Sequence, residues 1–398
     1  MSVQTQRTRF VCVSDTHNAS PADGAFKLPK GDVLIHAGDL TKQGTYAELR
    51  KTLDWIDKAD FEAKLVVAGN HDITFDEEFY AQYGQYFHNQ CPQDPQACIA
   101  LLKEYPSITY LNHESVNIKL TRENGPRASF RVFGSPWSPA NGLWAFGYSR
   151  DKASQLWESS IPLDTDIVIA HTPPKYHCDE SSDHGAAGCE VLRQKLWRVR
   201  PSLVVCGHIH EGRGAERVIW DLETPNVKYK ELMTGYWTDE GAQSKKQSLI
   251  DLSLRSSAPL NNTGDRGKAL ASKSLASLPW AFKECSYPSF AHPDGSPSAV
   301  IGQGGTPPSG RCDMEALNGR LGRQETCIVN AAIMASSWPY KAKTNNRYNK
   351  PIVVDIDLPV QPAEEEIVAR PQPDTSDQSL GSTDTTASSQ ETFASLSS

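Results

Sequence analysis

Five short apolar runs, each followed at once by Asp, Asn or His residues, constrain the fold of this 398-residue chain more than any other feature. A short run rich in β-branched residues and bounded by turn residues is typical of a buried strand. Open α/β sheets place their ligands beyond the carboxyl ends of the strands, so one sheet edge can collect all five polar segments. The runs and the residues after them are Phe10–Val13 before Asp15 and His17, Val33–Ile35 before Asp39, Leu65–Ala68 before Asn70 and His71, Ile167–Ala170 before His171, and Leu203–Cys206 before His208 and His210.

The polar residues of these segments predict a site for two divalent metal ions. Asp15 and His17 lie two residues apart at a strand end, where alternate side chains share a face. Asp39 can bridge two ions, because a carboxylate has two oxygens. Mixed oxygen and nitrogen ligands favour Mn, Fe, Zn or Mg over metals that prefer thiolates. Sorted in this way, one ion takes Asp15, His17, Asp39 and His210, and the other takes Asp39, Asn70, His171 and His208.

Two metal ions roughly 3.5–4 Å apart are a recurrent solution for phosphoester hydrolysis. They lower the pKa of a shared water, so that hydroxide can attack phosphorus in line with the departing ester oxygen. Asp39 holds both ions in this scheme. His71 is left over beside the ligand Asn70, where it can protonate the leaving oxygen as a general acid. Asp39 and His71 are therefore the predicted catalytic residues, and we expect Asp72 to cap the helix that follows rather than to orient His71.

Strand-like and helical patterns alternate over residues 8–235, which predicts parallel strand pairing with helices on the faces. A mixed sheet, or two stacked sheets, fits better than one purely parallel sheet, because several later strands are joined by short polar links. The helical patterns cover Tyr46–Lys58, Gln96–Tyr105 and Glu190–Val199, and the closely linked strand candidates are Ile108–Leu111, Val116–Leu120 and Phe130–Phe133.

Two segments lack the composition of a packed core. Residues 237–322 are rich in Ser, Gly, Pro, Asn and Lys and have few periodic apolar positions, so we expect a low-complexity, mostly disordered insertion. Order is expected to resume at about residue 325, so that residues 325–358 complete the domain of residues 8–235. The Ser/Thr-rich, acidic residues 362–398 are expected to form a disordered tail.

The net charge of −8 is concentrated in this tail, which holds seven acidic residues and one basic residue. The rest of the chain is nearly neutral and offers no basic stripe, so we expect no nucleic-acid polymer as a partner. No apolar run reaches transmembrane length, and no signal-peptide pattern precedes the first strand. The nine cysteines include no Cys-x-x-Cys pair. We expect a cytoplasmic protein with reduced thiols and no membrane association, and the sequence leaves the oligomeric state open.

The five motifs together resemble those of the calcineurin-like metallophosphoesterase superfamily, whose blocks run in the order Asp-x-His, Gly-Asp, Gly-Asn-His, His and Gly-His-x-His. Within it, the chain most resembles the small metallophosphoesterase-domain-containing proteins. This resemblance implies an α/β fold, a four-layer α/β/β/α sandwich of two mixed β-sheets, over residues 8–235 and 325–358. It also implies the same metal ligands at the same positions. The stretches that carry the likeness are Arg9–His17, Val67–His71, Gly134–Trp137, Gly207–Gly212 and Asn349–Val353.

One departure from the family pattern bears on the substrate. Protein Ser/Thr phosphatases follow their Gly-Asp block with an Asp-Arg pair that grips the phosphate, but Gly38-Asp39 is followed here by Leu40-Thr41-Lys42-Gln43-Gly44. The bidentate fork of that arginine is missing. We therefore expect a phosphodiesterase that acts on a small-molecule or nucleotide phosphoester. The alternative is a non-catalytic metal- or nucleotide-binding scaffold of the same fold, against which the complete ligand set argues.

An aromatic group lies between the third and fourth motifs. It consists of Trp137, Trp144, Phe146 and Tyr148. Such a wall could stack a nucleoside or aryl group of the substrate, because every base has a π-face. The same residues could equally close the core under a loop, and the sequence leaves both alternatives open.

Overall fold

The computed structural model of the protein describes residues 4–181, 185–221, 229–242, 244–262, 280–284, 323–336 and 348–360. The α-helices are α1 Tyr46–Lys58, α2 Glu77–His88, α3 Pro95–Leu101, α4 Ala153–Trp157 and α5 Glu190–Val199. The strands are β1 Thr5–Val13, β2 Val33–Ala37, β3 Ala63–Val67, β4 Ile108–Tyr110, β5 Glu114–Lys119, β6 Ser129–Ser135, β7 Ser138–Pro139, β8 Gly147–Tyr148, β9 Ile167–Ala170, β10 Glu180–Ser181, β11 Gly185–Ala186, β12 Leu203–Cys206, β13 Gly214–Trp220, β14 Glu231–Trp237, β15 Ser248–Asp251, β16 Trp280–Glu284, β17 Glu325–Asn330 and β18 Ile352–Pro359.

The first sheet places the ends of β1, β2 and β3 side by side. Among the described residues it has six strands, in the order β15-β18-β1-β2-β3-β4. Strand β1 pairs in parallel with β2, β2 with β3 and β3 with β4, while β18 runs antiparallel to β1. The parallel register sets Val13 beside His36 and Ala37 beside Val67. The carboxyl ends of the three strands therefore meet at one edge.

The second sheet delivers the other two motifs. Its eight strands, counted over the described residues, run in the order β16-β14-β13-β17-β12-β9-β6-β5. The central strands β17, β12, β9 and β6 are parallel, whereas the strands on both flanks pair antiparallel. Both sheets are therefore mixed, as the sequence predicts.

The apolar clusters define four layers. One cluster lies between the sheets and takes alternate residues of their strands, such as Phe10 of β1 and Val205 of β12. A second cluster covers the outer face of the first sheet, where α1 contributes Leu53. A third covers the outer face of the second sheet, where α5 contributes Leu196. Each of these fully buried side chains contributes about 1.5–3 kcal/mol to stability, and the layer order confirms the four-layer α/β/β/α sandwich.

The start of α1 illustrates how local sequence sets the element bounds. The Thr45 hydroxyl accepts a hydrogen bond from the Glu48 N–H, and the Glu48 carboxylate accepts one from the Thr45 N–H, both at 3.2 Å. This capping box satisfies two N–H groups that the helix itself leaves without a partner. Helix α1 covers the predicted range. A helix was expected after Asp72, but the bounds of α2 were not predicted, because its apolar face consists of aromatic residues that stay partly exposed, among them Phe79, Tyr80 and Phe87.

Two strands lie within the range predicted as a low-complexity insertion. Strand β15 extends the first sheet beside β18, and β16 extends the second sheet beside β14. Sequence reasoning missed both, because they are short edge strands with few apolar positions and polar neighbours. Much of the predicted insertion, and the whole predicted tail of residues 362–398, lie outside the described residues, so the domain boundaries stay predictions.

A buried charge cluster fixes the loop that follows β9. The ring nitrogens of His177 contact the carboxylates of Glu216 at 2.7 Å and Glu231 at 3.1 Å. Arg193 of α5 contacts the same Glu231 carboxylate at 2.6 Å. Burial alone would lower the pKa of His177, but the two carboxylates raise it to about 10. The loop is therefore held by a charged imidazole on the outer side of the second sheet.

None of the helices within the described ranges combines the length and apolar character needed to cross a bilayer. The cytoplasmic location stays a prediction.

Candidate metal centre

Five loops meet where the two sheets end together. Strands β1, β2 and β3 lead into the segments of Asp15, Asp39 and Asn70, and strands β9 and β12 lead into those of His171 and His208. The sheets come into contact here through the Nδ1 atom of His171, which lies 2.9 Å from the carbonyl oxygen of Ala37 at the end of β2. The fold thus brings all seven predicted metal ligands into one region, as the parallel strand ends require.

The first predicted coordination sphere is closely spaced. The Nε2 atom of His210 lies 3.3 Å from the Oδ1 atom of Asp15 and 3.3 Å from the Nε2 atom of His17. The Nε2 atom of His17 lies 3.7 Å from the Oδ2 atom of Asp39. Donor atoms of Asp15, His17 and His210 all lie within 4.8 Å of one another, which is a spacing that a single ion can span.

The second predicted sphere lies on the other side of Asp39. The Nε2 atom of His171 is 3.4 Å from the Oδ1 atom of Asp39 and 3.0 Å from the Oδ1 atom of Asn70. The Nδ1 atom of His208 is 2.7 Å from the same Asn70 oxygen. Asp39 therefore turns one oxygen toward each group of ligands, which is the position that a bridging carboxylate needs.

The outer nitrogens of the histidines show that the site suits metal ions. Backbone carbonyls accept from the Nδ1 atoms of His17 (Thr41, 3.0 Å), His171 (Ala37, 2.9 Å) and His210 (Ser336, 2.7 Å). A carbonyl oxygen can only accept a hydrogen bond, so Nδ1 carries the proton in each ring. In the neutral rings of His17 and His171, Nε2 then presents its lone pair to the site, whereas the Nε2 atom of His210 faces the Oδ1 atom of Asp15 at 3.3 Å and can give up a proton when it binds an ion. Histidines that bind metal ions through one ring nitrogen typically donate a hydrogen bond from the other nitrogen in this way.

The electrostatics of the site also favour a bound cation. Burial, together with the charges of Asp15 and Asp72, raises the pKa of Asp39 well above its usual value. Burial lowers the pKa values of His17 and His171 and takes that of His208 to about 3. Burial opposes the ionisation of Asp15, yet the hydrogen bond from His210 lowers its pKa. Burial opposes the charged form of His210, yet Asp15 raises its pKa. A divalent cation would stabilise this set of donors, because it offsets the crowded carboxylates and replaces the proton of His210.

Two glycines of the motifs allow the carboxylates to approach the backbone. A Cβ atom on Gly207 would lie 2.0 Å from the Oδ2 atom of Asp15, and one on Gly69 would lie 2.2 Å from the Oδ1 atom of Asp39. Any other residue would displace a predicted ligand, so glycine is required at both positions. Asp15 (φ 51°) and Asp39 (φ 53°) themselves adopt the left-handed backbone region, which is a local strain typical of functional sites.

His71 lies beside the two spheres in a nearly closed environment. Its Nδ1 atom lies 2.8 Å from the carbonyl oxygen of Lys42, and its backbone N–H donates to the Oδ1 atom of Asp39 at 2.9 Å. Its ring meets the ring of His17 edge to face, with 4.7 Å between centroids. The imidazole is 9% exposed, and this burial lowers its pKa to about 4.

Asp72 does not cap a helix, so that expectation was wrong. Its carboxylate accepts hydrogen bonds from the backbone N–H groups of Leu40 (3.1 Å), Thr41 (2.9 Å) and Gly69 (2.8 Å). The side chain that caps α2 is that of Asp76, which accepts from the Phe79 N–H. Asp72 instead ties the loop after β2 to the loop after β3. The partners in the loop after β2 lie about 30 residues away in the chain, beyond what local capping rules consider.

Asn330 supports the loops around the candidate site, and sequence reasoning missed it. Its buried side-chain amide donates to the carbonyl oxygens of Ile209 (2.8 Å) and Cys178 (3.0 Å), with a longer contact to that of Gly207 (3.4 Å). It therefore joins the loop of His208 to the loop after β9. A signal was present, because Asn330 ends the apolar run of β17 in the same way that the five recognised motifs end theirs.

The four aromatic residues between the third and fourth motifs do not all have the same surroundings: some close the core, and one lies beside the candidate site. Phe146 and Tyr148 are buried and close the apolar clusters on the outer faces of the sheets, with Trp137 partly buried beside them. Trp144 alone of the four stacks on a predicted catalytic residue. Its ring lies 3.9 Å from that of His71, centroid to centroid, at an interplanar angle of 29°.

Comparison with known proteins agrees with this geometry. A family model described as calcineurin-like phosphoesterase matches residues 8–212. The chain belongs to the calcineurin-like phosphoesterase family. The chain is 38% identical over 213 residues to metallophosphoesterase domain-containing protein 1 of Homo sapiens, and the match covers 52% of the chain and 62% of the human protein. It is 43% identical over 216 residues to probable rhamnogalacturonate lyase C of Emericella nidulans, which covers 54% of the chain and 18% of the fungal protein.

The superfamily predicted from the motifs, and the likeness to metallophosphoesterase-domain-containing proteins, are thereby confirmed. The chain spans less than two thirds of the length of both relatives. Among solved structures, the crystal structure of a Thermus thermophilus protein, TT1561, matches with a TM-score of 0.32 and 16% identity, over 53% of this chain and 84% of that one.

Proposed function

We propose that this phosphoesterase hydrolyses a phosphodiester of a small or nucleotide-like group, with two divalent metal ions bound by Asp15, His17, Asp39, Asn70, His171, His208 and His210. Family membership and the Asp/His cluster support a metal-dependent phosphoesterase. The observation that carries the proposal is the position of Asp39, whose two oxygens face separate groups of ligands at 3.7 Å and 3.4 Å. When bound, the two metal ions would lower the pKa of a bound water and neutralise negative charge on the phosphate oxygens.

The residues of the chain contribute orientation and charge. Carbonyl partners fix the rings of His17, His171 and His210, so that no reorganisation is needed when ligand lone pairs are engaged. Asp39 also accepts from the backbone N–H of His71, which couples the bridging carboxylate to the predicted acid. Because Asp39 is nearly fully buried, water competes little with these contacts.

His71 is proposed to give a proton to the leaving oxygen of the ester. Its Nδ1 atom is engaged by the Lys42 carbonyl, so the proton has to come from Nε2. Burial, together with the nearby histidines, lowers the pKa of this imidazole to about 4, which disfavours the doubly protonated form near neutral pH. The negative charge of a bound phosphoester has to offset that effect, since an adjacent anion favours the charged imidazole. The proton is therefore expected to be held at Nε2 only with the ester present.

The proposed substrate class follows from what surrounds the site. The loop after Asp39 supplies Lys42, whose exposed ammonium is a point charge rather than the bidentate fork of an arginine. A diester carries one negative charge on its phosphoryl group and needs less charge compensation than a phosphoprotein monoester. We therefore place small or nucleotide-like diesters ahead of phosphoproteins, and expect no nucleic-acid polymer as a partner.

Hydrolysis of a p-nitrophenyl phosphodiester by the full chain, with added Mn²⁺ and with or without chelator, tests the proposal. We expect turnover that the chelator abolishes and that Asp39→Asn reduces at least about 100-fold, because the substitution removes the bridging charge. Asp60→Asn, which changes an exposed carboxylate whose side chain is 92% accessible, is the matched control and should leave turnover unchanged. Metal binding without hydrolysis of any diester or monoester would instead support the non-catalytic scaffold.

A further inference from the structure

Trp144 covers a predicted catalytic residue without belonging to any of the five motifs. The two ring planes of Trp144 and His71 are 29° apart, with centroids 3.9 Å apart. This is a close stacking contact, and stacked aromatic pairs contribute to stability beyond the area that they bury. The contact therefore fixes the orientation of the imidazole as well as covering it.

His71 is held on its other sides by different elements. The Lys42 carbonyl lies 2.8 Å from Nδ1, and the ring of His17 meets the imidazole edge to face. The imidazole turns about its Cβ–Cγ bond, and a single hydrogen bond at Nδ1 opposes that turn only weakly. Trp144 restricts the turn further, because a ring stacked with its centroid 3.9 Å from the indole cannot rotate without colliding with it.

The loop of Trp144 is itself fastened to the metal centre. The Ala145 N–H donates to the carbonyl oxygen of Asn70 at 3.2 Å, and the Phe146 N–H donates to the Asp76 carboxylate at 2.9 Å. The ring of Phe87 in α2 lies against the indole, with 5.3 Å between centroids. Because the two residues after Trp144 are both anchored, the indole has a defined place relative to the ligand Asn70.

The contact between Trp144 and His71 argues against the alternative in which this indole face stacks a nucleobase of the substrate. The indole face toward His71 is already occupied by the imidazole at stacking distance, so a nucleobase cannot lie on that face. We propose that Trp144 is a positioning residue, which holds the His71 ring in the plane that directs Nε2 at the leaving oxygen of the ester. This inference rests on the proposed function of His71. In the reaction, the oxygen of a water molecule bonds to phosphorus and its proton passes to solvent, while the bond from phosphorus to the leaving oxygen breaks. The leaving oxygen keeps the electron pair and takes the proton from Nε2, and solvent then restores that proton.

The effect of losing Trp144 on the rate should depend on the leaving group of the ester. An alkyl or phenyl oxygen needs the proton in order to leave, whereas p-nitrophenolate leaves without it. We expect Trp144→Ala to lower kcat about tenfold on a phenyl or alkyl phosphodiester, with KM within about twofold, and to change kcat on the p-nitrophenyl diester less. Trp144→Phe keeps an aromatic face and should restore most of the rate. Leu143→Ala, which changes a neighbouring side chain that is 44% exposed, is the matched control.

A double-mutant cycle separates positioning from other roles. If Trp144 acts through His71, Trp144→Ala should change kcat less than about twofold in a His71→Ala background. The same loss in both backgrounds, or a rise in KM confined to aryl and nucleotide esters, would overturn the inference and assign Trp144 to substrate contact.

Histidine NMR of the labelled full chain adds a readout that does not depend on turnover. The ring protons of His71, assigned with His71→Ala, should be shifted by the indole ring current in the wild type and by the phenyl ring in Trp144→Phe, but not in Trp144→Ala. An unchanged His71 resonance in Trp144→Ala would contradict the positioning role. A wild-type chain that hydrolyses no phosphoester would refute the proposed function, while this resonance would still decide whether Trp144 holds the ring.

Discussion

Replacing Gly207 by alanine should disable the metal centre while leaving most of the fold intact. A Cβ atom at this position would lie 2.0 Å from the Oδ2 atom of Asp15 and 2.0 Å from the Oγ atom of Ser14. Ordinary contact begins at 3.4 Å, so Asp15 or the Gly207 backbone has to move by about 1.4 Å. Both belong to the centre, because Asp15 is a predicted ligand and Gly207 precedes His208.

The size of the effect follows from this displacement. A misplacement of about 1 Å in a preorganised site can cost about 100-fold in rate, and a shifted ligand weakens metal binding as well. We therefore expect Gly207→Ala to lower metal affinity and metal-saturated kcat by about 100-fold or more. Gly214→Ala is the matched control from the same region, because its added Cβ atom would meet nothing closer than 3.9 Å.

Calorimetric metal titration, together with thermal unfolding in the presence and absence of metal, measures the outcome. A ligand at 100 times its Kd stabilises the folded state by about 2.7 kcal/mol, so the wild type and Gly214→Ala should unfold later when metal is added. Gly207→Ala should lose this increment. If Gly207→Ala binds metal as tightly as the wild type, the tight approach of Asp15 to the backbone is not needed, and the reasoning from the glycine positions is refuted.

Two further changes test the supports of the site. Asn330→Asp sets a carboxylate against the carbonyls of Cys178 and Ile209, so metal affinity should fall about 10–100-fold in a titration; an unchanged affinity would contradict this role. His177→Gln should cost about 3–5 kcal/mol of unfolding free energy in denaturant titrations. That loss should be largest between about pH 4.5 and 6.5, because the pKa values are raised to about 10 for His177 and lowered to about 2 for Glu231. The contribution therefore declines as pH rises toward 10 or falls toward 2, and a pH-independent difference would refute the ion pair.

The parallel strand ends are the part of the fold that sequence predicts best. The runs Ile167–Ala170 and Leu203–Cys206 coincide with β9 and β12, because short buried parallel strands are continuously apolar and end sharply in polar loops. The helices α1 and α5 also match, since each has an apolar stripe of the right period. Where strand ends and ligand types coincide, the sequence therefore predicts which candidate ligands the fold brings together, and their binding of metal stays a prediction.

The misses share a different physical cause. Asp72 and Asn330 act through hydrogen bonds to residues far away in the chain, which local capping and motif rules do not consider. The edge strand β15 is held by its neighbour β18 rather than by its own apolar pattern. Trp144 belongs to no motif, and only the folded loop sets it on His71. The positions of these residues and of β15 therefore depend on contacts between distant parts of the chain, which a local sequence pattern does not contain.

The number of metal ions bound per chain tests the central claim most directly. Asp39 turns one oxygen toward each of two ligand groups, and His208 belongs to only one of them. Metal analysis after equilibration with Mn²⁺ should give two ions per wild-type chain, one for His208→Ala, and a loss from both positions for Asp39→Asn. A wild-type chain that binds a single ion, or an Asp39→Asn chain that keeps two, would contradict a dinuclear centre bridged by Asp39.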